Sequence, residues 1–347
     1  MPIIQAKHKK EVDDSYKVFI EKGVVNKLPS LLKKLNLGQK YAIITDSRTA
    51  KIHGLTISKF LNKNGIKNEI LSFESGEKSK TLSSIEELAE SMVEKGFNRK
   101  DAIIALGGGV VGDVAGFLAS IYLRGIPFVQ IPTTLLAMVD SAIGGKTGVD
   151  LKIGKNLLGT ITQPKAVFVD INLLKTLPEN QIRNGLGEII KYGIIKDEKF
   201  FSYLEKNLSK VFKHDEKVLN YIIQKSIAIK VEVVENDEKE AKNRMLLNYG
   251  HTYGHALETM SNYTLLHGYA ISIGMVIANE MAIEKKLLKQ KDADRIKALL
   301  EKAGLPVYSM NKPTMKDLMT DKKSDGKSIN FILPTKIGNA IIYNQKI

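Results

Sequence analysis

Three of the six histidines in the chain lie close together in the sequence and are spaced for metal binding. His251 and His255 are four positions apart in the segment NYGHTYGHALE, so a helix would place both side chains on one face. His267 follows at the expected start of the next helix, and Glu188 places a carboxylate on an otherwise apolar helix face. Neutral imidazoles and one carboxylate suit a Zn²⁺ ion that keeps an open position for substrate oxygens. These residues therefore predict a metal centre, although their spacing leaves open whether His251 and His255 are both ligands or one of them is an acid–base group.

A glycine-rich turn lies within Ile103–Phe117 (IIALGGGVVGDVAGF), between an apolar run and a helix of small residues. Glycines let the backbone approach a phosphate, and the N-terminus of the helix presents unpaired N–H groups to it. The spacing matches G-x-G-x-x-G, but no acidic residue follows about 20 positions later to hold a ribose, so a purely structural turn remains an alternative. In the nucleotide interpretation Asp113 orients the nicotinamide end; in the alternative it caps the helix.

Two further predicted strand ends carry side chains that suit a nucleotide. Ser75–Lys80 (SGEKSK) offers Glu77 to ribose hydroxyls and Lys80 to phosphate, and Thr133 and Thr134 offer two hydroxyls after another strand. Ligands of open parallel sheets bind at the carboxyl ends of the strands. The three strand ends together predict a dinucleotide crevice.

Cationic side chains accumulate around these motifs. Lys191 lies three residues after Glu188 and so on the same helix face, and Arg244 lies seven residues before His251. Buried cations are costly unless an anion neutralises them, and these cations exceed what one NAD pyrophosphate needs. The pattern therefore predicts a small anionic substrate that carries at least one phosphate or carboxylate. The predicted pocket comprises Lys146, Lys155, Asn156, Lys191, Lys230, Arg244 and Asn248, with Asp140 and Glu240 as balancing acids.

Hydrophobic periodicity divides the chain into two parts. Up to residue 177, short apolar runs alternate with amphipathic stretches, which predicts an α/β domain with a parallel sheet covered on both faces. From residue 178 to residue 347, long helical patterns dominate until a strand-like pair at 329–343, and the active site is expected in the cleft between the two domains. The predicted strands are Tyr41–Asp46, Asn68–Phe73, Asp101–Gly107, Phe128–Pro132 and Ala166–Ile171. The predicted helices are Ser83–Lys95, Gln181–Lys196, Lys199–Phe212, Asp215–Val234, Asn248–Ser261, Gly268–Lys286 and Asp292–Ala303.

Composition excludes several classes of protein. The formal net charge of +14 is spread along the chain, aromatic residues make up 7% and tryptophan is absent, so a solvated lysine-rich surface is favoured over a nucleic-acid interface. Cysteine is absent too, so a metal must be held by His, Asp or Glu. Since no apolar run suits a membrane span or a signal peptide, a cytoplasmic protein is expected.

Several segments resemble the 3-dehydroquinate synthases of the sugar-phosphate cyclase superfamily. They are GGGVVGDVAGF, YLRGIPFVQIPTTLLAMVDSAIGGKTGVD, EIIKYG, LNYGHTYGHALE and DKKSDGKSINFILPTKIG, and the similarity runs in order from about Tyr41 to Tyr343. The resemblance implies a Rossmann-like α/β domain followed by a helical domain, a homodimer, catalytic NAD and a divalent metal, Zn or Co. It implies conversion of 3-deoxy-D-arabino-heptulosonate 7-phosphate to 3-dehydroquinate and phosphate in the shikimate pathway. The alternatives are a 2-deoxy-scyllo-inosose or valiolone synthase and an NAD-dependent polyol dehydrogenase.

The resemblance also implies roles for individual residues. Glu188, His251 and His267 would bind the metal, whereas His255 would be catalytic and help to position the phosphate region. The residues implied around the substrate are Lys146, Asn156, Lys191, Lys230, Arg244 and Asn248, with Asp140 and Glu240 near its hydroxyls.

Further implied contacts lie outside this set. Arg124 would reach the site of the neighbouring subunit, and Lys322 or Lys323 would close over the phosphate. The implied NAD contacts are Asp46, Ser75, Gly76, Glu77, Lys80, Gly108, Gly109, Val110, Val111, Gly112, Asp113, Thr133, Thr134, Lys146, Lys155 and Thr176.

Overall fold

The computed structural model describes residues 13–235, 243–310, 313–314, 317–318 and 328–346. Its main sheet contains β1 (Lys17–Ile20), β2 (Tyr41–Asp46), β3 (Asn68–Phe73), β4 (Ala102–Gly107), β5 (Phe128–Pro132) and β8 (Ala166–Val169). These six strands are parallel and lie in the order β1-β8-β5-β4-β2-β3. The predicted parallel sheet is confirmed, and β1 is an edge strand that the sequence pattern did not indicate.

Both faces of the sheet are covered and buried. Since successive residues of a strand point to opposite sides, each strand contributes side chains to two separate cores. In β2, Ile43 faces a core that contains Leu32, whereas Ile44 faces a second core that contains Leu88 and Leu118. The helices of this half are α1 (Leu28–Leu35), α2 (Ser47–Thr49), α3 (Leu55–Lys63), α4 (Leu82–Glu94) and α5 (Gly109–Ile121). A short π-helical segment, Ala50–Gly54, joins α2 to α3.

The carboxyl ends of the parallel strands meet at one edge of the sheet. The glycine-rich turn joins the end of β4 to the start of α5, as the sequence predicts. Ser75–Lys80 follows β3, and Thr133 follows β5, where its N–H donates to the carbonyl of Gly107 at 2.9 Å. The three strand ends that carry nucleotide-type side chains therefore lie side by side.

A separate antiparallel hairpin, β6 (Lys146–Leu151) and β7 (Gly154–Ile161), packs beside α5. Gly148 pairs directly with Gly159, and a Cβ at Gly159 would lie 2.1 Å from the carbonyl oxygen of Thr147, so glycine is required for this close approach. The sequence pattern did not predict the hairpin. Its strands carry Gly, Lys and Asn at positions where a buried strand would carry apolar residues.

The second half is largely helical, as predicted. Its helices are α6 (Glu179–Lys196), α7 (Glu198–Phe212), α8 (Glu216–Glu235), α9 (His251–Met260), α10 (His267–Glu284) and α11 (Gln290–Lys302). It is not purely helical, because β9 (Ser328–Lys336) and β10 (Asn339–Lys346) form an antiparallel hairpin that packs on α6 and α10. Over the residues described, none of the helices has the length and apolar character needed to span a membrane.

The two halves share one hydrophobic core. Leu135 and Met138, which follow β5, are buried in the same cluster as Ile182 and Leu186 of α6. This cluster holds α6 against the carboxyl edge of the sheet. Side chains from α6 and from the strand ends can therefore converge on one site.

Candidate active site

Glu188, His251 and His267 meet at one point in the helical half. Their potential ligand atoms lie within 4.8 Å of one another. Oε1 of Glu188 is 3.5 Å from Nε2 of His251 and 3.3 Å from Nε2 of His267. Glu188 is completely buried, so a carboxylate at this point needs a cationic partner. The structure thus brings together the three residues for which the resemblance implies metal binding.

The second nitrogen of each imidazole also has a partner. Nδ1 of His251 is 3.1 Å from the carbonyl oxygen of Tyr249, and Nδ1 of His267 is 3.4 Å from a carboxylate oxygen of Glu258. Such partners hold the proton on Nδ1 and leave the lone pair of Nε2 directed at a cation. A set of two imidazoles and one carboxylate, with both tautomers fixed in this way, fits Zn²⁺ or Co²⁺.

Close helix packing brings these ligands together. A Cβ at Gly268 would lie 2.0 Å from the carbonyl oxygen of Asn184, so only glycine lets the start of α10 approach α6 this closely. The side chain of Asn184 also accepts a hydrogen bond of 2.7 Å from the Gly268 N–H. Glu188, one turn further along α6, therefore faces His267.

Electrostatics distinguish the groups of this cluster. Burial lowers the pKa of His267, but the carboxylates of Glu258 and Glu188 outweigh it and raise that pKa to about 10. Burial raises the pKa of Glu258, but His267, Lys155 and His255 lower it to about 2. Burial raises the pKa of Glu188 as well, but Lys191 outweighs it and lowers that pKa, so both glutamates are carboxylates near neutral pH. A bound cation would take the place of the proton on His267.

A buried network of charges extends from the metal-type cluster. Lys191 contacts the second carboxylate oxygen of Glu188. Lys230 of α8 donates to the side chain of Asp140 at 2.6 Å and to its backbone carbonyl at 2.7 Å, and the Tyr192 hydroxyl donates to the same carboxylate at 2.8 Å. Burial raises the pKa of Asp140, but Lys230 and Lys191 hold it well below its usual range. Asp140 is therefore an anion that balances two pocket lysines.

Arg244 is buried against the segment between β5 and β6. Its guanidinium lies 3.4 Å from the carbonyl oxygen of Gly144, whose N–H donates to the hydroxyl of Tyr16 at 3.1 Å. Arg244 is 3% exposed, so this guanidinium is shielded from bulk water. Arg244 lies in the 3₁₀ segment Asn243–Asn248, and Asn248 is partly buried at the end of that segment.

Lys80 forms the centre of a second buried group at the carboxyl edge of the sheet. Its ammonium group is 2.5 Å from the carboxylate of Asp113 and contacts the side-chain oxygen of Asn156. Asn156, assigned to the substrate by the resemblance, thus lies beside two implied NAD contacts. Asp113 lies inside α5 and pairs with Lys80, so it does not cap that helix.

Lys155 connects the two halves of the site. Its ammonium group is 3.0 Å from Glu77 on the dinucleotide side and 3.5 Å from Glu258 on α9. It also lies 4.4 Å from the centre of the Tyr263 ring. Burial lowers the pKa of Lys155, but Glu77 and Glu258 outweigh it and raise the pKa.

Other implied NAD contacts already have structural partners. Asp46 caps α2 by accepting hydrogen bonds from the N–H groups of Arg48 and Thr49. The hydroxyl of Thr134 accepts one from Ala137, and that of Thr176 lies 2.9 Å from a ring nitrogen of His53. At the same edge, close to the ends of β3, β4 and β5, lie Ser75, Gly76, Gly108, Gly109, Val110, Val111, Gly112 and Thr133.

Other implied residues are exposed or lie outside the described structure. Lys146 is exposed at the start of β6. Arg124 is exposed just after α5 and has a positive φ of 72°, next to Leu123 at 49°. Glu240, Lys322 and Lys323 lie outside the described residues.

Two residues that touch the site were not predicted from the sequence. Glu258 contacts His267 and Lys155, and Tyr192 contacts Asp140. Glu258 lies three positions after His255 in α9, and this helical spacing is the signal that could have identified it. His53 is partly buried against Thr176.

The burial of cations supports the predicted pocket independently. Over the described part of the chain, the buried lysines and arginines are Lys80, Lys191, Lys230 and Arg244. All four belong to the site predicted from the sequence. Elsewhere in the described structure lysine and arginine side chains keep contact with solvent, as their hydration cost requires.

Two solved structures that share this fold were determined with NAD⁺ and a divalent metal bound. A 2-epi-5-epi-valiolone synthase from Streptomyces hygroscopicus, solved with NAD⁺ and Zn²⁺ bound, matches with a TM-score of 0.90 at 28% identity, covering 99% of this chain and 96% of that one. A 2-deoxy-scyllo-inosose synthase complexed with carbaglucose-6-phosphate, NAD⁺ and Co²⁺ matches with a TM-score of 0.82 at 29% identity, covering 95% and 92%. The fold is that of the sugar-phosphate cyclases.

Sequence comparison defines the family within this class. Residues 70–184 match the family model of the 3-dehydroquinate synthase N-terminal region, and residues 185–325 match that of the C-terminal region. A 3-dehydroquinate synthase from Desulforamulus reducens is 40% identical over 336 residues, covering 95% of this chain and 94% of that protein. The chain belongs to the 3-dehydroquinate synthase family.

Proposed function

We propose that this chain catalyses the conversion of 3-deoxy-D-arabino-heptulosonate 7-phosphate to 3-dehydroquinate and phosphate. The reaction is a phosphate-eliminating cyclisation, a carbon–oxygen lyase step of the shikimate pathway, and we place it in the cytoplasm. The observation that carries the proposal is the metal-type cluster of Glu188, His251 and His267, directly joined to the buried cation Lys191. A substrate with both a carboxylate and a phosphate would bring two anionic groups to Lys191, Lys230 and Arg244, whereas a sugar phosphate without a carboxylate would bring one.

We infer that the cofactors are NAD and a divalent cation, Zn²⁺ or Co²⁺. Glu188, His251 and His267 would hold the cation, and the glycine-rich turn with Glu77, Lys80 and Lys155 would hold the dinucleotide. When bound, NAD⁺ would supply a reversible hydride acceptor and the cation would polarise a substrate oxygen.

The residues of the chain itself would bind, orient and neutralise. Lys230 and Arg244 would attract the acidic end of the substrate. Lys191 would lie between the substrate and Glu188. His255, whose ring centre is 5.2 Å from that of His251, would hold a proton near the phosphate. The buried wall around α6 would exclude water from the reacting carbons.

The proposed reaction makes a direct prediction. The purified protein with NAD⁺ and Zn²⁺ should release phosphate from 3-deoxy-D-arabino-heptulosonate 7-phosphate without net accumulation of NADH, because the overall conversion is redox-neutral. Phosphate release and NADH absorbance would be followed in the same sample. Glucose 6-phosphate and sedoheptulose 7-phosphate, which lack the carboxylate, are the comparison substrates.

Other outcomes of this assay would identify another function. A preference for either sugar phosphate that lacks the carboxylate would indicate an inosose or valiolone synthase. Continuous NADH formation from a polyol would indicate a dehydrogenase. Either result would refute the proposal.

We further propose a homodimer in which Arg124 completes the site of the partner subunit. Exposed apolar side chains lie at and just after the end of α5, next to Arg124, and on β7. The hydroxyl of Thr160 donates to Ser120 at 2.9 Å, which joins β7 to α5. Exposed apolar side chains on two adjoining elements favour a protein interface there. The exposed apolar residues are Ile121, Leu123, Leu158 and Ile161.

A mixing experiment tests the shared site. Arg124→Ala and His255→Ala subunits should each be nearly inactive alone. An equimolar mixture that has exchanged subunits should regain about a quarter of the wild-type activity, since half of the dimers are mixed and each contains one complete site. A mixture no more active than the average of its parents would show that Arg124 acts in its own subunit or not at all.

A further inference from the structure

Glu258 is a buried carboxylate outside the set of Glu188, His251 and His267, although its carboxylate also lies within 4.8 Å of the ligand atoms of His255 and His267. It lies on α9 and is 5% exposed. Its two carboxylate oxygens contact two different parts of the site. Oε2 is 3.4 Å from Nδ1 of His267, and Oε1 is 3.5 Å from the ammonium group of Lys155.

The first contact governs the orientation of a proposed metal ligand. The ring of His267 lies between two carboxylates, with Nδ1 facing Glu258 and Nε2 facing Glu188 at 3.3 Å. If Glu258 accepts the Nδ1 proton in a hydrogen bond, Nε2 keeps its lone pair for the cation. A carboxylate partner also makes the imidazole a stronger ligand.

The second contact reaches the dinucleotide side. Lys155 belongs to β7, and the same ammonium group lies 3.0 Å from Glu77, which follows β3. The Tyr263 ring, 4.4 Å away, restricts it further. One buried carboxylate is thus in contact with a proposed metal ligand and with a proposed dinucleotide contact.

We propose that Glu258 is a positioning residue that orients His267 for the divalent cation and, through Lys155, couples cation binding to dinucleotide binding. The inference rests on the proposed function, because it takes His267 as a ligand and Lys155 as a cofactor contact. Its consequence is reciprocal: NAD⁺ should tighten the binding of the cation, and the cation should tighten the binding of NAD⁺ by the same factor.

The test measures Zn²⁺ affinity by competition of the metal-free protein with a chromophoric chelator, in the presence and absence of NAD⁺. Glu258→Gln keeps the shape of the side chain and removes its charge. We expect it to weaken Zn²⁺ binding by about 10- to 100-fold. The visible absorption of the Co²⁺-loaded variant should also shift, because the ligand field of His267 changes. Glu284→Gln, an exposed glutamate on the same helix as His267, is the matched control and should bind Zn²⁺ like the wild type.

Lys155→Met tests the coupling without altering α9. Zn²⁺ affinity without NAD⁺ should stay within about twofold of the wild type. At NAD⁺ concentrations that saturate the variant, the tightening caused by NAD⁺, expected to be about 5- to 150-fold in the wild type, should disappear. This variant keeps the inference testable if Glu258→Gln melts at a much lower temperature than the wild type.

Three outcomes would overturn the inference. Unchanged Zn²⁺ affinity in Glu258→Gln would show that His267 needs no such partner. A loss as complete as that in His267→Ala would make Glu258 a ligand itself. Persistence of the NAD⁺ effect in Lys155→Met would remove the coupling. If instead the wild-type protein binds no divalent cation, the proposed function fails together with this inference.

Discussion

His267→Ala should lose the divalent cation and the activity together, whereas His255→Ala should keep the cation and lose turnover. Nε2 of His267 lies 3.3 Å from the Glu188 carboxylate and faces the centre of the metal-type cluster. His255 lies at the border of this cluster, with its ring centre 6.2 Å from that of His267. Removing one of three ligands breaks the site, while removing a proton carrier beside it does not.

The two variants are expected to differ in metal content, although kcat falls in both. A lost Lewis acid costs several kcal/mol of transition-state stabilisation, or roughly a thousandfold in kcat. A lost acid–base group costs about 10²- to 10⁴-fold in kcat with the metal content unchanged. Metal content by atomic emission and steady-state kinetics on the same preparations distinguish the two. Equal metal loss in both variants would show that the ligand assignment is wrong.

Lys230→Met should destabilise the protein more than the removal of any exposed lysine. It would leave the partly buried carboxylate of Asp140 without the cation that lies 2.6 Å away. Removing one partner of a fully buried pair costs about 3–5 kcal/mol of the free energy of unfolding. Because Asp140 keeps some contact with solvent and the hydrogen bond from Tyr192, we expect a loss toward the lower end of this range. Activity should fall as well, since Lys230 is proposed to bind the substrate.

Lys196→Met is the matched control for this prediction. Lys196 pairs with Glu232 at 3.2 Å on the surface, where a single ion pair contributes at most about 1 kcal/mol. Denaturant unfolding of the metal-free proteins would compare the two variants. The double variant Asp140→Asn/Lys230→Met should regain part of the lost stability, because no buried charge is then left alone. A loss in Lys230→Met no larger than in Lys196→Met would contradict the buried charge network.

The charge of this protein has two separate parts. The 52 lysines and arginines outnumber the acidic residues, which gives the chain a formal net charge of +14. Most of these cations lie on a solvated surface. Four buried cations, among the described residues, belong instead to the candidate site: Lys80, Lys191, Lys230 and Arg244. Surface lysines have little desolvation cost because water still solvates them. A buried cation loses this solvation and requires an anion such as Asp113 or Asp140.

Regular periodicity explains which elements could be predicted from the sequence. The bounds of β2, β3 and β5 match the predicted runs. β2 and β5 are buried on both faces, and such strands appear as short, nearly continuous apolar segments. β3 is an edge strand that is only partly buried. Helices such as α7 were predicted to within one residue at the start, because their apolar residues recur with helical spacing.

Elements without such a pattern were missed. β1 is four residues long and exists because it pairs with β8, nearly 150 positions away in the chain. The hairpin of β6 and β7 depends on close backbone contact between Gly148 and Gly159, which no local propensity reveals. β1 thus depends on a partner that is distant in sequence, and the hairpin depends on steric fit.

The sequence by itself determined the kinds of residues in the site, since histidines without any cysteine restrict a metal centre to nitrogen and oxygen ligands. It did not determine which histidines share a cation. Spacing alone left open whether His251 and His255 are both ligands, because it describes one helix at a time. Only tertiary packing brings α6 against the start of α10, where Gly268 permits close approach and His267 meets Glu188. The same packing buries Glu258 beside His267, since the distance between two helices is set by the side chains between them and not by either sequence alone.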